Sequence, residues 1–334
     1  MRPRRQDIYS SYRFAESMRV AARSLTEVSV LPVTDVLAWV VVAVFLAGVV
    51  ADWRGRRRLA RRLTVGAWAG FSVFWLLLIH QFAVVHRSII QTVLVVVAVP
   101  MCLYVGWTLW QGRDSLLVLS RAVALMGLVY LPFQTSATAR AFLIETVARQ
   151  TAALLDVTGL GEGMRLRTDT TGETALLNTF FFPESGRSSR VVFACTGIGS
   201  MAIFGGLIGA VRAPLRRKVV ALSVSLSIIW VLNVARNAFV AVANGEGWFA
   251  HPAIEGPVMA MFGLSDPARV SFFVADRIIS QGLALFALVG IAWLISRWVP
   301  ELLDIAEDLL YLLTGDEVTL RPPATATDGG DPER

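Results

Sequence analysis

Three side chains stand where an otherwise apolar chain has little reason to carry them. Cys195 lies in Ala194–Cys195–Thr196–Gly197–Ile198–Gly199–Ser200, Arg236 in Leu232–Asn233–Val234–Ala235–Arg236–Asn237, and Arg277 ends Phe272–Phe273–Val274–Ala275–Asp276–Arg277. An arginine within hydrocarbon costs at least about 2.5 kcal/mol, so such residues face a polar cavity or a partner. On a helix, Asn233, Arg236 and Asn237 share one face. Asp276 and Arg277, followed by Ser280 and Gln281, give a second polar face. A cysteine at a helix N-terminus meets free amide donors and the positive end of the helix dipole. Guanidinium groups nearby would further favour a thiolate, the form that attacks a carbonyl. The competing reading is structural: arginines that snorkel outward or pair with Asp276, and a cysteine acting as a small apolar side chain. Cys102, within Pro100–Met101–Cys102–Leu103, is read in that structural way.

The elements that must position these residues are membrane spans. Of 334 residues 55% are hydrophobic, and the excess falls in blocks long enough to cross about 30 Å of hydrocarbon. Seven blocks are expected to span: Val36–Trp53, Val65–Val85, Ile89–Trp110, Leu116–Phe133, Val191–Val211, Val219–Ala243 and Val270–Ile295. Arginines of the short loops set the orientation. Arg54, Arg56, Arg57, Arg58, Arg61 and Arg62 form one cluster, and Arg212, Arg216, Arg217 and Lys218 another. Seven spans place both clusters in the cytoplasm, with Arg113 and Arg297. Cys195, in the first turn of the fifth span, then lies at the outer face, with Arg236 and Arg277 about two turns below it. The same parity puts the basic N-terminal segment outside, with Arg2, Arg4, Arg5, Arg13, Arg19 and Arg23. That segment either lies along the interface or conceals a further membrane element.

The expected fold is thus an all-α polytopic membrane protein of about seven transmembrane helices, with interfacial helices and a short outer β-hairpin. Thr135–Leu155 reads as an amphipathic helix in the interface, its apolar stripe made of Phe142, Leu143, Val147 and Leu154. Met164–Arg190 reads as the hairpin, with a turn at Thr171–Gly172. Leu302–Leu313 is a second amphipathic helix. The organisation is a basic interfacial segment at 1–34, a catalytic membrane domain at 35–296 with an outer insertion at about 135–190, an amphipathic helix at 297–317 and a disordered tail at 318–334.

Several chemistries lack their residues. No H-E-x-x-H, G-x-S-x-G or P-loop occurs. Three scattered histidines (His80, His86, His251) and two distant cysteines make neither a metal site nor a disulfide. The net charge of +6 reflects arginines beside apolar blocks, and so membrane topology rather than nucleic-acid binding. The first thirty residues lack the apolar centre of a cleavable signal peptide.

The three stretches around Cys195, Arg236 and Arg277, in this order and at membrane-consistent spacing, resemble the signature stretches of the exosortase/archaeosortase family. The resemblance runs from about Asp35 to Glu317 and includes Tyr-Leu-Pro-Phe-Gln at 130–134. Many members have histidine at the third position; Arg277 stands there in this chain, as in the archaeal branch. The resemblance implies a cysteine transpeptidase-like enzyme at the outer face of the cell membrane. Its substrates would be secreted or S-layer proteins ending in a Pro-Gly-Phe motif, a transmembrane helix and a basic tail. Cleavage would be coupled to attachment of the new C-terminus to a membrane lipid, which serves as co-substrate; no cofactor or metal is implied. By that resemblance catalysis would fall to Cys195, Arg236 and Arg277; Asn233, Asn237 and Asp276, on the polar helix faces, are the supporting candidates.

On that reading Cys195 attacks the scissile carbonyl to give a thioester, and an arginine stabilises the thiolate or the oxyanion. Arginine is never deprotonated and is no general base. Asp276, His251 or water would supply the leaving amine's proton. Two other classes remain open: a transporter or channel with an arginine-lined anion site, and a non-catalytic membrane assembly factor. Anion uptake that depends on either arginine while Cys195→Ala is harmless would mark the first. Tolerance of losing all three side chains would mark the second.

Overall fold

In hydrocarbon every backbone N–H and C=O must find its partner within the segment, so apolar blocks of this length fold as helices. A computed structural model describes residues 33–80, 83, 89–170, 175–317 and 319–320. Among these, six helices are long and apolar enough to cross a membrane: Val33–Trp53, Arg57–His80, Thr92–Trp110, Leu116–Thr135, Leu215–Glu246 and Pro267–Ser296. The protein is a multi-pass membrane protein. The N-terminal basic segment up to residue 32, the turn at Thr171–Gly172, His86 and the tail beyond residue 320 lie outside the described residues.

Two compact units divide the chain between Leu117 and Val118. The first holds α1 (Val33–Trp53), α2 (Arg57–His80) and α3 (Ile89–Trp110). Phe45 of α1 meets Trp68 of α2 edge-on at 5.3 Å, and Ser72 donates to the Val99 carbonyl of α3 at 3.0 Å. Arg61 is paired with Asp114 at 2.7 Å, in the loop after α3. Cys102 is buried on α3, as its apolar surroundings require.

The second unit carries the site. It comprises α4 (Leu116–Thr135, from Val118 onward), α5 (Ala137–Thr158), β1 (Arg165–Asp169), β2 (Leu176–Phe182), β3 (Arg187–Arg190), a 3-10 turn (Phe193–Thr196) and α6 (Ile198–Ala210). There follow α7 (Leu215–Glu246), α8 (Pro252–Phe262), α9 (Val270–Phe273), a π-helical segment (Val274–Ser280), α10 (Gln281–Ser296) and α11 (Leu302–Thr314). Ser136 caps α5 by accepting from the Ala139 amide, and Gly159 ends it in the left-handed region.

Three expectations need correcting, and one element is added. The fifth span is not a full one: only Ile198–Ala210 is helical. Thirteen residues rise about 20 Å, short of the hydrocarbon thickness. The start expected at Val191 fails because Arg187–Arg190 pairs with β2 and because Gly197 takes a left-handed φ of 78°. The outer hairpin has a third strand, giving an antiparallel sheet of order β1–β2–β3. The stripe of α5 turns inward: Leu143 and Val147 are buried, and only Phe142 of that stripe is exposed. It packs on Phe180 and Phe182 of β2 and on Ala238, Ala241 and Val242 of α7. Finally, α8 was not foreseen. His251 caps it, Pro252 opens it and Gly263 closes it, a start and stop pattern present in the residues themselves.

Small residues govern how α6 is seated. A Cβ on Gly206 would lie 2.4 Å from the Ala122 carbonyl of α4, so the two backbones touch there as they do in membrane helix pairs. Gly205, about 100° round the helix, has nothing within 4 Å. The C-terminal carbonyls of α6 have no helical partner. Arg121 donates to the Ala210 carbonyl and Lys218 to that of Gly209, both at 2.9 Å. Cations therefore hold the negative end of α6, next to the basic loop.

Candidate active site

Cys195 does not lie in α6. It sits two residues before the N-cap Gly197, in the 3-10 turn Phe193–Thr196. The turn closes on itself: the Cys195 amide donates to Val192 O at 2.8 Å, and Thr196 Oγ1 donates to Phe193 O at 2.7 Å. From below, the turn rests on the core shared by α5, β2 and α7. From upstream, Asn178 fixes its approach by exchanging two bonds with Val191: its Nδ2 donates to the Val191 carbonyl, and its carbonyl accepts from the Val191 amide, both at 2.9 Å. Phe193 meets Tyr130 of α4 with ring centroids 5.5 Å apart.

Two asparagines of α7 then hold the cysteine's own backbone. Asn233 Nδ2 and Asn237 Nδ2 each donate to the Cys195 carbonyl at 2.9 Å. A carbonyl oxygen has two lone pairs, and both are taken. Gly197 is required for this seating. Its positive φ suits glycine, and a Cβ there would stand 3.0 Å from Asn233 Cγ. Two turns further on, Asn244 on the same face donates to Ser188 O and Ser189 Oγ of β3. The whole polar face of α7 thus grips the segment leading into the cysteine.

Arg236 lies on α7 between the two asparagines and pairs with Asp276. Arg277 Nε reaches the other oxygen of the same carboxylate at 3.3 Å. Asp276 is 7% exposed, and the guanidinium side chains 24% and 35%. Two cations on one carboxylate leave a net charge of +1. Asp276 is therefore an acceptor and positioning group for both arginines, and the pairing weighed as the structural reading is present. The π-helical segment Val274–Ser280 contains both Asp276 and Arg277. Such wide turns admit an extra residue into the helix and recur at functional sites. His251, by contrast, is exposed, and its Nδ1 accepts from the Ala253 amide as the cap of α8.

The residues singled out in the sequence meet along α7: Asn233 and Asn237 bond the Cys195 carbonyl, and Arg236 on the same helix shares an ion-pair cluster with Asp276 and Arg277. A cavity of about 320 Å³ begins beside it at Gly197, Ser200, Asn233, Arg236 and Ser280, and continues along α7 and α10 between apolar side chains. Asn178, Asn244 and the Tyr130–Phe193 contact were missed by sequence reasoning. Only Asn244 had a signal, falling seven residues after Asn237 on the same helix face.

The sequence pattern of the transmembrane exosortase family matches residues 34–266, a stretch that includes Cys195 and Arg236. The chain belongs to the transmembrane exosortase family. It is 60% identical over 309 residues to archaeosortase A of Natronomonas pharaonis, covering 92% of this chain and 98% of that protein. To archaeosortase A of Haloferax volcanii it is 48% identical over 300 residues, covering 86% and 96%. No solved structure matches it. Membership carries the expected activity, the processing of sorting signals by a membrane-embedded transpeptidase.

Proposed function

We propose that Cys195 is the nucleophile of this transpeptidase and that Arg236 and Arg277 supply its positive charge at the outer face of the cell membrane. The observation that carries the reading is the pair of hydrogen bonds that Asn233 and Asn237 donate to the Cys195 carbonyl. It fixes the cysteine against the helix face that bears Arg236, and Arg236 shares Asp276 with Arg277. The side of the membrane follows from α6, whose far end is held by Arg121 and Lys218 next to Arg212, Arg216 and Arg217. Basic loops stay inside, so Cys195 faces outward, recessed below the surface because α6 is shorter than the hydrocarbon.

The Cys195 thiolate attacks the scissile carbonyl; the C–S bond forms and the C–N bond breaks, giving a thioester to the mature protein. An arginine donates to the oxyanion as it develops. Asp276 is committed to two guanidinium groups and His251 to a helix cap, so the leaving amine takes its proton from water. A nucleophilic O–H or N–H group on a membrane lipid then attacks the thioester: its bond to the acyl carbon forms, the C–S bond breaks, the thiolate returns and the proton it sheds passes to the hydroxide left from that water. Water in place of the lipid gives plain hydrolysis. The substrate is the C-terminal sorting-signal helix of a secreted or S-layer protein.

The test is mass spectrometry of a candidate substrate's C-terminus in cells carrying Cys195→Ala. Uncleaved precursor is expected beside a normal amount of the membrane protein. Correct processing by that variant overturns the proposal.

A further inference from the structure

The cavity beside Arg236 has two unlike ends. Its mouth carries Asn233, Arg236, Ser200 and Ser280, while its depth is lined by Ile229, Leu288 and Ile291 among others. Measured along the helices, Arg236 to Ile229 on α7 is seven residues, and Ser280, which ends the π-helical segment, to Ile291 of α10 is eleven. At 1.5 Å per residue the cavity runs roughly 10–16 Å down the helix axes. Its polar end is the end that holds the proposed chemistry. A membrane lipid has this layout: charge at the surface and hydrocarbon running inward along the helices.

The depth of the groove is lined by apolar side chains only, which suits hydrocarbon. Ala235, Ala284 and Ala287 line it with small side chains. Two features of the mouth point to an anionic head. The cluster Arg236–Asp276–Arg277 carries a net positive charge. Ser280, 5% exposed, lines the cavity with its buried hydroxyl hydrogen-bonded to nothing among the described residues. A buried hydroxyl without a partner is rare and calls for an acceptor.

We infer that the groove between α7 and α10 seats one hydrocarbon chain of an anionic phospholipid, its phosphate at Arg236 and Ser280. In the reaction proposed above this is the acceptor's place; the inference rests on that reading for its purpose but not for its binding site. The head group would then lie beside the thioester, and the substrate helix would occupy a different surface.

The experiment uses the full chain in phosphatidylcholine vesicles with a few per cent of phosphatidylglycerol bearing a mid-chain photoactivatable diazirine. Adducts are mapped by peptide mass spectrometry after irradiation. Labelling is expected to concentrate on Ile229, Leu232, Leu283 and Leu288. It should exceed, by fivefold or more, labelling there by the matching phosphatidylcholine probe. Ala287→Phe should cut it at least tenfold, while Ala287→Ser leaves it unchanged. Even where Ala287→Phe reduces the folded protein, the wild-type adduct map decides. Adducts spread evenly over exposed side chains such as Phe286 and Trp293, or equal labelling by both head groups, overturn the inference. So does crosslinking of a sorting-signal helix peptide to Leu232 and Leu288. Cys195→Ala should label as the wild type does, so a failure of the cysteine mechanism and a failure of the lipid site are read separately.

Discussion

The two amide donors on the Cys195 carbonyl can be removed one at a time. In Asn233→Ala or Asn237→Ala, one of two bonds of 2.9 Å is lost. A net hydrogen bond is worth about 1 kcal/mol, and if the whole of it positions the nucleophile, cleavage slows about fivefold. Two independent losses would give about 25-fold. They are not independent, because the first loss leaves the carbonyl satisfied and the second leaves it bare. An unmade bond adds about 1–3 kcal/mol; the low end applies because Cys195 is only partly buried. The double variant should therefore slow cleavage by on the order of 100-fold, from about 3 kcal/mol. The assay is single-turnover cleavage of a sorting-signal peptide by wild type, both single variants and the double variant at matched protein levels. A double variant within threefold of wild type would refute the reasoning. So would one equal to the product of the singles, because the shared carbonyl would then not be the coupling point.

Other substitutions test the rest of the cluster. Arg236→Lys should lose at least tenfold in cleavage with unchanged accumulation, since an ammonium lacks the planar fork that can serve Asp276 and an oxyanion together. Asp276→Asn leaves two guanidinium groups without their carboxylate. Breaking a fully buried pair costs about 3–5 kcal/mol, and with the arginines a quarter to a third exposed about 1–3 kcal/mol is expected, read as lower thermal stability in detergent. Gly197→Ala must adopt a left-handed conformation at about 1–2 kcal/mol and push on Asn233, so cleavage should fall at least tenfold.

The sequence by itself determined six of the spans, the basic loops and the three residues proposed for the chemistry. These are local properties: a helix is the only way for a single apolar segment to satisfy its backbone in hydrocarbon, and fixed spacing puts Asn233, Arg236 and Asn237 on one face. Even the family signature is carried by short runs. What tertiary structure decided is everything that joins residues far apart in the chain. Nothing local shows that Arg236 and Asp276, forty residues apart, share an ion pair, or that α5 turns its apolar stripe to a sheet rather than to lipid. The apolar run after Val191 reads as a span because hydropathy cannot register a strand pairing upstream, nor a glycine whose left-handed turn is fixed by contact with an asparagine on another helix. That contact takes the cysteine out of the helix and puts it in a turn held from outside.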